Sequence, residues 1–315
     1  MSDVDQEARN RLRLIVQRTT ELTPLKSVAA KAISIAEDER SAAMDLAAVL
    51  SSDQALTARL LRLSNSAYYG YARRISTVRE AVILLGMRTV RSVAITSGII
   101  DSFRSLDLGD FDQDLFWAHS VTVGIVSETI ARETRAARPE DAFTAGVLHD
   151  VGKLAMLLCE PEAFAEVVEL VTTGKKRFAE AERAVFGLSH TQVGGRLAQR
   201  WKFPEPLIDA IRGHHDRSSR SIETLADVVG AANLAVNRVG MAAGWDWTRR
   251  EDRWARETLS PRADEALNRV RGGLVALEGK ARAFLTHVAA QPPRWYQPPE
   301  VFVGDLESGQ MPHVA

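Results

Sequence analysis

The stretch Asp53-Gln54-Ala55-Leu56-Thr57-Ala58-Arg59-Leu60-Leu61-Arg62-Leu63-Ser64-Asn65-Ser66-Ala67-Tyr68-Tyr69-Gly70 sets the reading of the whole chain. Asp53 is a helix-capping residue, and Leu56, Leu60, Leu61 and Leu63 recur at helical spacing along one apolar face. Asn65 and Ser66 end that helix, and Gly70 supplies permissive backbone after it. The same pattern continues upstream. Arg9 to Thr20 carries Leu12, Ile15 and Val16 on one face and is broken at Thr23-Pro24. Val28, Ala32, Ile35 and Ala36 begin a second stripe, and Asp45 to Leu50 is a short helix. Downstream, Thr77-Val78-Arg79-Glu80 has the form of a capping box opening a helix with Val82, Ile83 and Leu85. Gly86 ends it, and Val90 to Ile100 form another apolar segment. An acidic, turn-like stretch, Leu106 to Asp114, then separates two helical lobes, 1–106 and 107–240.

In the second lobe the spacing predicts helices over Leu115 to Glu133, Asp141 to His149, 161–173, 178–186, 190–201, 204–214 and 221–239. A C-terminal extension, 241–290, holds the Trp-rich stretch Gly244 to Trp254 and one amphipathic helix, Ala263 to Ala289. Residues 291–315 are Pro-rich and read as a flexible tail. The fold class is therefore all-α: an N-terminal helical bundle packed on a second helical subdomain.

Composition narrows the function classes. Of 315 residues, 45% are hydrophobic and 26% charged, enough to bury a core and too apolar for wholesale disorder. Forty basic residues oppose 41 acidic ones, so a net charge of −1 excludes a globally basic nucleic-acid binder. The one cysteine, Cys159, cannot form an internal disulfide, which suits a reducing cytoplasm. Apolar runs fall short of the roughly 18 to 20 residues of a membrane span. Met1 to Arg13 is polar and charged, unlike a signal peptide.

Five of the seven histidines fall in the second lobe: His119, His149, His190, His214 and His215. Asp150 follows His149 directly, and Lys153 lies one helical turn further on. A divalent metal is held by neutral imidazoles and carboxylates converging from several helices, and this order of residues suits such a site. For any one histidine, the alternative is a capped or core residue.

Ala145-Gly146-Val147-Leu148-His149-Asp150-Val151-Gly152-Lys153-Leu154 resembles the central motif of the HD superfamily of metal-dependent phosphohydrolases. The resemblance implies that His119 and His149 are ligands, Asp150 a metal-bridging carboxylate and Lys153 a phosphate-facing cation. It matches His190, His214 and His215 to the additional ligands of the branch that hydrolyses cyclic di-GMP, giving a site for one or two ions of iron, manganese, zinc or magnesium. Two positions depart from the pattern. Asn233 stands where the superfamily places its last aspartate, and a neutral carbonyl oxygen holds a metal more weakly than a carboxylate. Asp216-Arg217-Ser218-Ser219-Arg220 follows His215 where that branch carries a Gly-Tyr-Pro loop. Asp227, six residues before Asn233, is on the wrong side of the helix to replace it.

The N-terminal half resembles a more specific group. Leu22-Thr23-Pro24-Leu25, the quoted stretch 53–70, Ile75-Ser76-Thr77-Val78 and Ala81-Val82-Ile83-Leu84-Leu85-Gly86 are similar to the HDOD family, output domains of bacterial signalling proteins. The resemblance covers roughly 15–240 and implies a two-lobed helical module acting in signal transduction through protein partners. Active phosphohydrolysis of a nucleotide or cyclic dinucleotide is the alternative.

Eight arginines lie between Ala55 and Arg104 against Glu80 and Asp101. Among them Arg59, Arg62, Arg73, Arg74, Arg88 and Arg91 form either a solvated face or a docking patch for an acidic partner or phosphate. Tyr68 and Tyr69 read as subdomain-interface packing, with ligand stacking the alternative, and Trp245, Trp247 and Trp254 as packing of the C-terminal helix, with a partner hot spot the alternative. The expectation is a cytoplasmic, bacterial regulatory protein without nucleic-acid or membrane partners, with oligomerisation open.

Overall fold

In a computed structural model, the described residues are 3–23, 27–35, 39–66, 69–70, 73–109, 111–216, 221–238 and 258–288. Among them there are helices and no strand. The first six are α1 (Asp3–Leu22), α2 (Ser27–Ser34), α3 (Glu39–Ser51), α4 (Gln54–Ser64), α5 (Val78–Leu85) and α6 (Met87–Arg104). Then come α7 (Gln113–Thr134), α8 (Pro139–Leu148), α9 (Val151–Cys159), α10 (Pro161–Thr172), α11 (Phe178–Phe186), α12 (His190–Arg200), α13 (Glu205–Gly213) and α14 (Leu225–Arg238). The chain closes on α15 (Pro261–Asn268) and α16 (Gly273–Val288).

Local chemistry sets many of these boundaries. Asp53 accepts a hydrogen bond from the Leu56 amide and caps α4. Thr77 and Glu80 form a reciprocal capping box at α5. Proline opens α8, α10 and α15, where its missing N–H costs nothing. Asn65 does more than end α4: its side-chain oxygen accepts from the Ile75 amide at 2.7 Å and its nitrogen donates to the Ile75 carbonyl at 2.8 Å. One side chain thereby closes the loop between α4 and α5. Tyr69 packs half-buried against the core.

The α7–α8 hairpin is the spine of the second lobe, and α14, α15 and α16 pack along α7. A Cβ on Gly146 would fall 2.7 Å from the Gly124 Cα, so the two helices meet where neither has a side chain. In the first lobe α2 packs on α6 and α3 to α6 pack on one another, while α6 also reaches α8 and α16 reaches α4. One apolar core runs from Ile15 to Val288 through both lobes. Each fully buried Phe or Leu in it contributes about 1.5 to 3 kcal/mol.

Four features differ from the sequence reading, which placed no helix at α9. The helix expected over Ala263 to Ala289 is two helices, because Gly272 and Gly273 both adopt positive φ (84° and 58°) and break the stripe. α1 lies in the segment assigned to the first lobe, yet it packs on α9 and α12. Ile15 and Val16 are buried there, Arg11 pairs with Glu160 at 2.5 Å and lies 4.4 Å over the Phe186 ring, and Thr19 meets the Cys159 thiol. Pro139 to Cys159 has the length and composition of a membrane span, contrary to the run-length reading, but 89% of its apolar window is buried inside the protein as α8 and α9. Tyr68, the Trp-rich stretch and the Pro-rich tail lie outside the described residues.

Candidate metal centre

Five elements converge on Asp150. His119 projects from the middle of α7, His149 caps the C-terminus of α8, and Asp150 stands at the N-cap of α9. His190 is the first residue of α12, and His214 caps the C-terminus of α13, followed by His215. Asp53 spends its carboxylate capping α4, but the Asp150 side chain makes no capping bond to α9 and faces the histidines.

Gly152 makes the convergence possible. A Cβ there would lie 2.0 Å from the His190 carbonyl oxygen and 2.8 Å from the Gly194 amide. Any side chain would force α9 and α12 apart and carry His190 away from Asp150.

Two groups of ligand atoms result, each lying within 4.8 Å of one another: Asp150, His190, His214 and His215, and His119, His149 and Asp150. Asp150 belongs to both. All of these side chains are buried except His215, which is exposed at the edge. The ring nitrogens are oriented for ligation. His149 Nδ1 is 2.7 Å from the Gly146 carbonyl and His214 Nδ1 2.9 Å from the Ile211 carbonyl, so each Nδ1 carries the proton and each Nε2 a lone pair. Those Nε2 atoms approach Asp150 at 3.3 and 3.7 Å, and neither nitrogen has a hydrogen-bond partner. Buried polar atoms left this way cost roughly 1 to 3 kcal/mol each unless something occupies the space between them. These residues fit a divalent metal.

Glu182 on α11 completes the arrangement, and no sequence pattern pointed to it. Fully buried, it accepts from the His190 backbone amide at 2.9 Å and from His190 Nδ1 at 2.7 Å. It thus satisfies the open N-terminus of α12 and aims His190 Nε2 at Asp150 Oδ1, 3.2 Å away. Burial pushes the His190 pKa down, but the charges and hydrogen bonds of Glu182 and Asp150 outweigh it and raise it to about 9. Burial pushes the Asp150 carboxyl up, while the adjacent His149 imidazole, the Lys153 ammonium and the His190 hydrogen bond outweigh it and hold it well below the usual range. Burial and the neighbouring histidines lower His214 well below the ordinary imidazole value. His215, whose ring is desolvated against those of His214 (4.1 Å) and His190 (5.1 Å) although the residue is exposed at its other side, is lowered likewise.

The remaining candidates are placed less simply. Lys153 is buried, bonded to Asp150 Oδ2 at 2.8 Å and stacked 4.5 Å over the Phe178 ring. Asn233 is buried on α14, which packs on α7, α8 and α13, and its side-chain oxygen accepts from Asn237 at 2.8 Å. Asp227 is committed to capping α14 through the Thr224 amide and hydroxyl. The arginine patch needs correction at Arg59, which is buried and paired with Asp101 at 2.5 Å because α4 lies against α6. Arg91 is half-buried and bonds the Ile33 carbonyl, and Arg88 is half-buried. Arg62, Arg73 and Arg74 are exposed.

The HDOD domain family matches residues 22–217. The chain belongs to the HDOD family. An HDOD domain protein of unknown function from Geobacter sulfurreducens is 28% identical, with a TM-score of 0.66 over 89% of this chain and 96% of that one. A candidate phosphohydrolase from Shewanella amazonensis SB2B is 26% identical, with a TM-score of 0.64 over 85% of this chain and 97% of that one. An uncharacterized protein of Treponema pallidum is 28% identical over 195 residues, which are 61% of this HDOD chain and 37% of that protein's length. Family and fold together place the chain among HDOD domain proteins with an all-helical fold.

Proposed function

We propose that this HDOD chain is a regulatory protein of signal transduction that holds divalent metal in its second lobe and acts through protein partners rather than by turnover. The observation that carries the reading is the pair of ligand groups sharing Asp150, with the Nε2 atoms of His149 and His214 facing it unbonded. His119, His149 and Asp150 would hold one ion, and Asp150, His190, His214 and His215 a second. Imidazole-rich donors favour iron or zinc over magnesium, and the shared carboxylate also suits manganese. Such an ion supplies Lewis acidity and, where water reaches it, a water of lowered pKa.

Two features weigh against hydrolysis. Asn233 brings no charge to the first ligand group, and its oxygen is engaged by Asn237. Lys153, the cation that would face a phosphate, is held inward by Asp150 and Phe178. A metal site of this kind links α7, α8, α9, α12 and α13, so occupancy stiffens the second lobe. We place the chain in the cytoplasm, as the reduced, buried Cys159 suggests. A second reading, metal-dependent hydrolysis of a nucleotide or cyclic dinucleotide, is favoured by the bridging position of Asp150.

The test is a screen of manganese-, iron- and zinc-loaded protein against mono- and diester phosphates, including cyclic dinucleotides, beside His149→Ala. The regulatory reading expects metal retention without turnover. Turnover that disappears in His149→Ala would replace it with the hydrolase reading.

A further inference from the structure

A second site lies away from the metal centre, in a groove between α1 and α12. It encloses about 450 Å³ and is lined by Arg13, Val16, Gln17 and Glu21 of α1 and by Arg196, Gln199 and Arg200 of α12. That volume is in the range of about 300 to 1,000 Å³ typical of small-molecule sites. Three guanidinium groups face one carboxylate, and that carboxylate is already engaged by Gln17 at 3.0 Å.

Some exposed arginines of this chain are paired along their helices: Arg132 with Glu128, Arg269 with Glu265 and Arg282 with Glu278. Arg13, Arg196 and Arg200 have no carboxylate partner among the described residues, and Arg196 bonds only the neutral Gln199. Arg196 and Arg200 stand four residues apart on one helix face, where like charges repel. The dipole at the C-terminus of α12 accounts for a cation at Arg200, but not for Arg196 one turn earlier or Arg13 across the groove. An anion between the helices relieves all three.

We propose that this groove binds a ligand carrying a diphosphate group. Guanidinium groups bind phosphate oxygens in pairs, and three of them from two helices match two adjacent phosphates better than one carboxylate. Gln17 and Gln199 add neutral donors, and Val16 gives an apolar floor. The groove also bears on the metal centre, since α12 begins at His190 and α1 packs on both α9 and α12.

The test is calorimetric titration of the full chain, stripped of metal with chelator, using ADP, inorganic pyrophosphate, adenosine and a polyglutamate peptide. ADP and pyrophosphate should bind and compete, while adenosine should not bind. Arg196→Gln and Arg13→Gln should each weaken binding about tenfold, the loss of one charge-assisted contact. Arg132→Gln should leave it unchanged, and His149→Ala should retain it, which separates this groove from the metal centre. Stronger binding of ADP than pyrophosphate identifies a nucleotide as the source; equal binding identifies the bare diphosphate. Unchanged affinity in both groove variants, no binding at about 1 mM, or binding of polyglutamate alone overturns the proposal.

Discussion

Replacing Gly152 by alanine puts a methyl carbon 2.0 Å from the His190 carbonyl oxygen and 2.8 Å from the Gly194 amide, both backbone atoms that no rotamer change can move. Relief requires α9 and α12 to separate. Overpacking of this kind costs typically 1 to 3 kcal/mol, and a clash with backbone belongs at the upper end, about 3 kcal/mol. For a chain of 315 residues that is a fall in Tm of roughly 4 to 5 °C. The same displacement draws His190 away from Asp150, so the variant should also lose metal. Gly279→Ala is the matched control. It sits in α16 with nothing within 4 Å of its added Cβ, so the variant should gain about 1 kcal/mol of helix propensity and keep its metal. Thermal unfolding followed by circular dichroism, with metal content by mass spectrometry, reads both effects. A Gly152→Ala protein with the wild-type Tm and full metal would refute the packing argument on which the site rests.

Glu182→Gln should retain the fold yet weaken metal retention about 10- to 100-fold, the usual loss when a carboxylate behind a ligating histidine is removed; competition with a chromogenic chelator measures it. Asn233→Asp supplies the missing carboxylate and should tighten retention by about tenfold, in the same assay; a neutral result would remove Asn233 from the account. Glu80 accepts hydrogen bonds from the Ser76 amide, the Ser76 hydroxyl and the Thr77 amide, and these hold its pKa below the ordinary 4.5. Its contribution is therefore fully present above pH 4.5 and is lost as pH falls through the folded value. The Tm difference between wild type and Glu80→Gln should shrink on acidification below pH 4.5, and a difference that grows would contradict the cap.

What was legible in the sequence was what is local. The Thr77–Glu80 box, the Asp53 cap and the prolines act within one turn of chain, so the helices they bound could be read directly. The five histidines were legible as a set because the ligands themselves are chemically distinctive. α9 was hidden because it follows α8 after two residues with no capping bond, and the apolar pattern runs through the junction. The break at Gly272-Gly273 was written in the sequence, but a continuing apolar stripe masked it. Glu182 gave no signal, since its role depends on α11 folding back beside the start of α12. The seat of α1 on the second lobe, and the burial of Arg59 against Asp101, likewise depend on contacts far apart in the chain. Those contacts separate a lone arginine on a solvated face from one in a core ion pair.

The most direct measurement is the metal content of full-length protein purified without chelator, compared with a His190→Ala variant of unchanged circular dichroism. The account predicts bound iron, manganese or zinc in the wild type and a marked loss in the variant. A metal-free wild type that also fails to take up these ions on addition would contradict it.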